Sequence, residues 1–278
     1  MKGEMKMKKW IVLIGLVIIG LGLISSEVSA EGIRIDESQS SQGKVGVYFN
    51  TGTTKKIKLM VSKGTEKYSY NLQNLDRMVY FPLQMGNGNY SVKVYENTEG
   101  NKYRPLTGKD FNVTLSDPNS VYLQSVQEID WDEQKKAIKI SQKLIQDQEK
   151  ELGRKLTEDE KTKVLYQYII EKIVYDYEKI KRIDTSYIPN IDDTVTTQNG
   201  ICYDYSSLFA AILREQGIPT KMIKGYSTYT TVYHAWNEVY VGGKWVIVDS
   251  TTDAYMFQNK APYTFEKQLK DYNKAKEL

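Results

Sequence analysis

The sequence predicts an α+β chain in two parts: an all-β unit, then a unit in which a helix packs on an antiparallel sheet. Three observations carry this. Between residues 31 and 118, short segments with alternating polar and apolar residues recur, with turn signals roughly every 8–12 residues. Past a polar stretch at 116–120, Ser-Asp-Pro-Asn-Ser, the apolar spacing changes to that of helices. From Tyr233 onward, two β-like segments flank Gly242-Gly243, a hairpin signal.

In chain order, residues 1–30 read as a leader and not as part of the fold. Lys2, Lys6, Lys8 and Lys9 precede an apolar run at 10–24, and Val28-Ser29-Ala30 places small residues where cleavage needs them. The run is shorter than the roughly 20 residues of a membrane span, so a secretory signal peptide cleaved after Ala30 is expected rather than an uncleaved anchor. No cysteine lies near that point to take a lipid.

Strands are expected at 44–49, 56–61, 68–70, 78–81, 90–95 and 111–115. Lys56-Ile57-Lys58-Leu59-Met60-Val61 alternates as a half-buried strand does, and Asn87-Gly88-Asn89 is a turn signal. Short, regularly spaced strands of this kind predict a β-sandwich of immunoglobulin-like type over 31–118. The second unit is expected over 119–278. Ala137, Ile140, Ser141, Leu144 and Ile145 share one helical face, which Gly153 interrupts. Thr157 with Glu160 forms a capping box for a second helix through Ile173. Residues 178–199 read as a polar loop, and 265–278 as a charged surface helix.

Charge excludes some function classes. The net charge of +3 includes +2 from the leader, so residues 31–278 carry about +1 and no basic stripe for nucleic acid. The chain has one cysteine and one histidine. In an exported protein a single thiol forms no intramolecular disulfide, which leaves chance, an intermolecular link or a reactive group.

The surroundings of Cys202 favour the reactive group. Asn199-Gly200 is a turn, and Tyr205, Leu208, Phe209, Ile212 and Leu213 then follow helical spacing up to Gly217 and Pro219. Cys202 therefore starts a helix, where the dipole and free N–H groups stabilise a thiolate. In the following hairpin, Val241 should face Lys244, with pairing continuing outward. That register brings His234 and Asp249 to the same end of adjacent strands. A thiol nucleophile, an imidazole base and a carboxylate that orients the imidazole are the parts of covalent acyl transfer.

Several blocks together resemble the transglutaminase-like superfamily: Gly200-Ile201-Cys202-Tyr203-Asp204-Tyr205, Leu213-Arg214-Glu215-Gln216-Gly217-Ile218-Pro219, Gly225-Tyr226, His234-Ala235-Trp236-Asn237-Glu238-Val239, Trp245 and Val248-Asp249-Ser250-Thr251. The resemblance covers roughly 165–252. It implies a papain-like α+β fold with a Cys-His-Asp triad, carried over to Cys202, His234 and Asp249. Ser250 stands where relatives often have proline. Gln198 is a candidate second donor to an oxyanion, beside the Cys202 N–H. The animal enzymes of the family use calcium, but no D-x-[DN]-x-[DN]-G loop occurs here, and no cofactor or metal is expected. The resemblance implies a secreted or cell-surface bacterial thiol acyltransferase, acting on a protein or peptide substrate that may be associated with the cell wall. The alternatives are a cysteine protease or amidase on the same scaffold, and a non-catalytic surface-binding module. No nucleic-acid partner is expected, and a membrane only through an uncleaved leader.

Overall fold

The computed structural model describes residues 32–278; the expected leader lies outside the described residues. Seven strands come first: β1 (Ile33–Asp36), β2 (Lys44–Phe49), β3 (Ile57–Lys63), β4 (Glu66–Leu72), β5 (Leu75–Pro82), β6 (Gly88–Glu99) and β7 (Lys102–Val113). They form two antiparallel sheets, ordered β1-β2-β5 and β4-β3-β6-β7. Alternation places Val45, Val47 and Phe81 from one sheet and Leu59, Val61, Val92 and Val94 from the other in a shared core. β1 and most of β7 go beyond the expected strands. β7 is polar and contains Pro105, which an edge strand paired only with β6 tolerates.

A short 3-10 turn at Ser120–Leu123 leads into the second part. Its elements are α1 (Lys136–Leu152), α2 (Glu158–Lys172), β8 (Val174–Tyr175), α3 (Lys179–Arg182), α4 (Ile191–Thr197), β9 (Asn199–Gly200), α5 (Cys202–Glu215), β10 (Thr220–Ser227), β11 (Thr230–Val241), β12 (Lys244–Val248), α6 (Ser250–Gln258) and β13 (Tyr272–Glu277). Thr157 and Glu160 close the capping box reciprocally at the start of α2. Gly153 ends α1 in the left-handed region at φ 66°. The antiparallel sheet runs β12-β11-β10-β13, and β11 pairs with β12 from Val241 opposite Lys244 to Asn237 opposite Val248, the expected register. α5 is buried on nearly every side, between the sheet and the other helices, so it is the central helix of this unit.

Two expectations need correction. Residues 178–199 are not a plain loop: they hold α3 and α4, and the Asn190 side chain caps α4 by accepting from the Asp192 N–H at 3.0 Å. Residues 265–278 are not a surface helix, because β13 closes the sheet against β10. Charge spacing suggested a helix, but those charges are satisfied across strands: Lys274 pairs with Glu238 at 3.0 Å and Lys221 with Glu277 at 3.4 Å. Leu278, fully buried, exchanges two 2.9 Å backbone hydrogen bonds with Met222.

The two parts share one continuous apolar core. Polar contacts tie them further. Gln127 Nε2 donates to the Asn71 carbonyl at 2.8 Å, Asn71 Nδ2 to the Thr185 carbonyl at 2.7 Å and Gln84 Nε2 to the Glu277 carbonyl at 3.1 Å.

Candidate active site

Cys202 is the first residue of α5 and is 8% exposed. Its placement begins with Ile201, which is extended and ends the approach from β9. The Ile201 N–H donates to Asp204 Oδ2 at 2.9 Å, and the buried Asp204 pairs with Lys179 at 2.7 Å. A carboxylate in the first helical turn complements the dipole, and the lysine offsets its burial. β8 and β9 run parallel, with Val174 N donating to the Gln198 carbonyl at 2.8 Å and Asp176 N to the Gly200 carbonyl at 2.9 Å. Tyr205 Oη donates to the Ile173 carbonyl at 2.6 Å and fixes the helix start to the end of α2.

His234 lies on β11 opposite Gly225 of β10. Gly225 is required there. A Cβ at that position would fall 2.1 Å from the Asn273 carbonyl oxygen and 2.9 Å from the Trp236 ring. Only glycine lets β13 approach so closely. The imidazole is buried at 6% exposure and lies 6.2 Å from Trp236, ring to ring, at 29°. Its Nε2 meets Asp249 Oδ2 at 2.8 Å, and Cys202 lies near enough to act on the charge of the same imidazole. Burial alone would lower the imidazole pKa. The charge and hydrogen bond of Asp249, helped by Cys202, outweigh burial and push it up to about 10. The imidazole is therefore protonated near neutral pH.

Asp249 is fully buried and held from several sides. Besides His234 it accepts from the Thr252 N–H at 3.0 Å, the Thr252 hydroxyl at 2.8 Å and the Tyr272 hydroxyl at 2.9 Å. Burial works to raise its pKa, but His234 and Thr252 overcome that and hold it below the usual value. Asp249 is also the N-cap of α6, which Tyr166 anchors through a 2.7 Å hydrogen bond to Asp253. The structure thus joins His234 to Asp249 by a hydrogen bond, and Cys202 lies near enough to influence the imidazole. Gln198 is elsewhere in role: an exposed residue in the left-handed region at φ 54°, whose carbonyl is used by Val174. Its side chain takes no part in the hydrogen bonds of those three among the described residues.

Sequence reasoning missed three neighbours. Thr252 had a signal, since Asp249-Ser250-Thr251-Thr252 has the spacing of an N-cap and its N3 residue. Tyr272 had none, because it reaches Asp249 only through the β13 pairing; its ring also lies 4.9 Å from that of Trp236. Lys224, on β10, sets its ammonium 3.4 Å from the centre of the Tyr203 ring, and burial pushes its pKa down to about 8. Among the described residues no group of three or more His, Cys, Asp or Glu side chains is arranged to hold a metal ion.

The model of the transglutaminase-like superfamily matches residues 140–250. Kyphoscoliosis peptidase of Mus musculus is 33% identical over 103 residues, a match covering 33% of this chain and 15% of that protein. The chain therefore matches only a small part of that relative's length. Among solved structures, a TGase crystal structure aligns at 24% identity and TM-score 0.34, covering 41% of this chain and 31% of that one. Red sea bream transglutaminase aligns at 11% identity and TM-score 0.33, covering 75% and 48%. The residues that match the transglutaminase-like superfamily model, 140–250, include Cys202, His234 and Asp249.

Proposed function

We propose that the protein is a thiol acyltransferase in which Cys202 is the nucleophile, His234 the acid and base, and Asp249 the group that orients the imidazole. The observation that carries this reading is an imidazole whose Nε2 is held by buried Asp249 at 2.8 Å, with buried Cys202 at the start of α5 near enough to act on its charge. The Cys202 thiolate attacks the carbonyl carbon of an amide, such as a glutamine side chain, and the C=O electrons move to oxygen. The backbone N–H of Cys202, at the start of α5, supports that oxyanion. When the tetrahedral intermediate collapses, the His234 imidazolium gives its proton to the leaving nitrogen. Ammonia or an amine departs, and a Cys202 thioester remains. A primary amine then attacks, passes a proton to His234 and expels the thiolate, leaving a new amide bond. With water in place of the amine, the product is a carboxylic acid.

A second reading, peptide bond hydrolysis at the same site, is favoured by the likeness to a protein named as a peptidase. One experiment separates the two. The protein is incubated with a glutamine-bearing protein and a fluorescent primary amine, and amine incorporation and ammonia release are followed together. Incorporation that disappears in Cys202→Ala supports transfer; new peptide ends without incorporation support hydrolysis. Unchanged turnover in Cys202→Ala rules out both.

Three wider features belong to the same proposal. The leader pattern at 1–30 supports export to the cell surface or medium of a bacterium, where the substrate would be a protein or a cell-wall peptide. A division at 118/119 separates a substrate-positioning unit from the catalytic one. The strand order β1-β2-β5 against β4-β3-β6-β7 supports an immunoglobulin-like reading of the first unit.

A further inference from the structure

We propose that Lys224 makes this site selective for acyl donors that carry a carboxylate beside the reacting amide. The proposal rests on the reading of Cys202 as the nucleophile. It starts from how α5 crosses the sheet. Asn237 Nδ2 donates to the Ser206 carbonyl of α5 at 3.0 Å, and Met222 pairs with Asn237 across the strands. Lys224 is one step further along that face of β10, and Tyr203 is almost one helical turn back from Ser206, toward the start of α5. There the Lys224 ammonium rests on the Tyr203 ring, 3.4 Å from its centre, and Tyr203 adjoins Cys202 in the chain.

Lys224 forms no ion pair among the described residues. Tyr203 supplies only the negative face of a ring. The carboxylate that acts on Lys224 through space is Glu128, and it acts on Lys276 and Arg214 as well. One carboxylate is thus shared among three cations. Glu128 is buried at 5% exposure, and its Oε2 accepts no hydrogen bond. A cation partly withdrawn from water gains most from an anion that arrives with a ligand and is desolvated with it. Lys224 is placed for this against the residue next to Cys202, so the anion belongs to the acyl donor and lies near its reacting carbon. It is either the donor's own terminal carboxylate or an acidic side chain next to the amide.

The test compares alkylation of Cys202 by iodoacetate and by iodoacetamide, reagents that differ by the carboxylate. In Lys224→Gln the ratio of the two rates should fall about five- to tenfold, and in Lys224→Arg it should be retained. An unchanged ratio in Lys224→Gln overturns the proposal. The second measurement uses the unaltered protein, and so holds even if the variant fails to fold. Peptides ending in glutamine with a free carboxylate, and peptides with internal glutamine beside glutamate, are compared with their uncharged counterparts as protectants against iodoacetamide. Better protection by either charged peptide supports the proposal and identifies the source of the anion; equal protection by all four overturns it. Failure of the nucleophile reading looks different. Iodoacetamide would then label Cys202 no faster than a small-molecule thiol in every variant.

Discussion

At the scale of single residues, the account depends on how Asp249 is held. A buried carboxylate is stable only when its charge is matched and its lone pairs are filled, and here His234, Thr252 and Tyr272 do both. Tyr272→Phe removes one donor and leaves the ring in place against Trp236. It should cost about 1.5–3 kcal/mol in urea unfolding, the range for a hydrogen bond to a charged group, and should lower turnover without unfolding the site. The His234 pair also makes stability depend on pH. Its pKa is raised from 6.5 to about 10 in the folded chain, so its contribution is complete below 6.5 and is lost as pH rises through 10. The stability difference between the unaltered protein and His234→Gln, measured by urea unfolding from pH 6 to 10, should shrink across that window. Cys202 helps to raise that pKa, so in Cys202→Ser the loss should be complete at lower pH.

At the scale of elements, the glycine opposite the histidine sets the geometry. Gly225→Ala forces either the β13 backbone or the Trp236 ring to move. Overpacking of this kind costs about 1–3 kcal/mol, and here it also displaces Tyr272 from Asp249. Thermal unfolding should show the loss, and turnover should fall more than in Tyr272→Phe. This scale also separates what was legible in the sequence from what was not. The start of α5 at Cys202, the Thr157 capping box and the β11–β12 register were legible, because each rests on neighbours within a few residues or on a tight turn. The β13 strand was not, since its pairing with β10 spans some 50 residues of chain and Lys274 and Glu277 find partners on the neighbouring strands as well as in each other. Tyr272 and Lys224 were hidden for the same reason: each matters through a contact that the strand pairing creates. Residues 178–199 were too polar to show a helical stripe, and α4 is marked mainly by its Asn190 cap.

At the scale of the whole molecule, the sandwich and the second part share one apolar cluster and half-buried polar contacts. Gly43 marks this dependence. It adopts φ 94°, and a Cβ there would come 2.4 Å from a Val121 methyl, so the segment joining the two parts lies directly on the sandwich. Such a shared core predicts cooperative unfolding. Far-ultraviolet circular dichroism reports strands of both parts, whereas Trp131, Trp236 and Trp245 report only on the second. The two signals should give coincident urea transitions, and separated midpoints would mean that the parts unfold independently.

The central claim, that Cys202 forms an acyl intermediate under the control of His234 and Asp249, is tested most directly by trapping it. The protein is mixed with a glutamine-bearing peptide, quenched in acid and digested, and the Cys202 fragment is weighed by mass spectrometry. The account predicts an adduct on Cys202 equal to the peptide less one ammonia, discharged by a primary amine and absent in Cys202→Ala. Amide turnover that persists in Cys202→Ala, with no adduct on the unaltered protein, would contradict it.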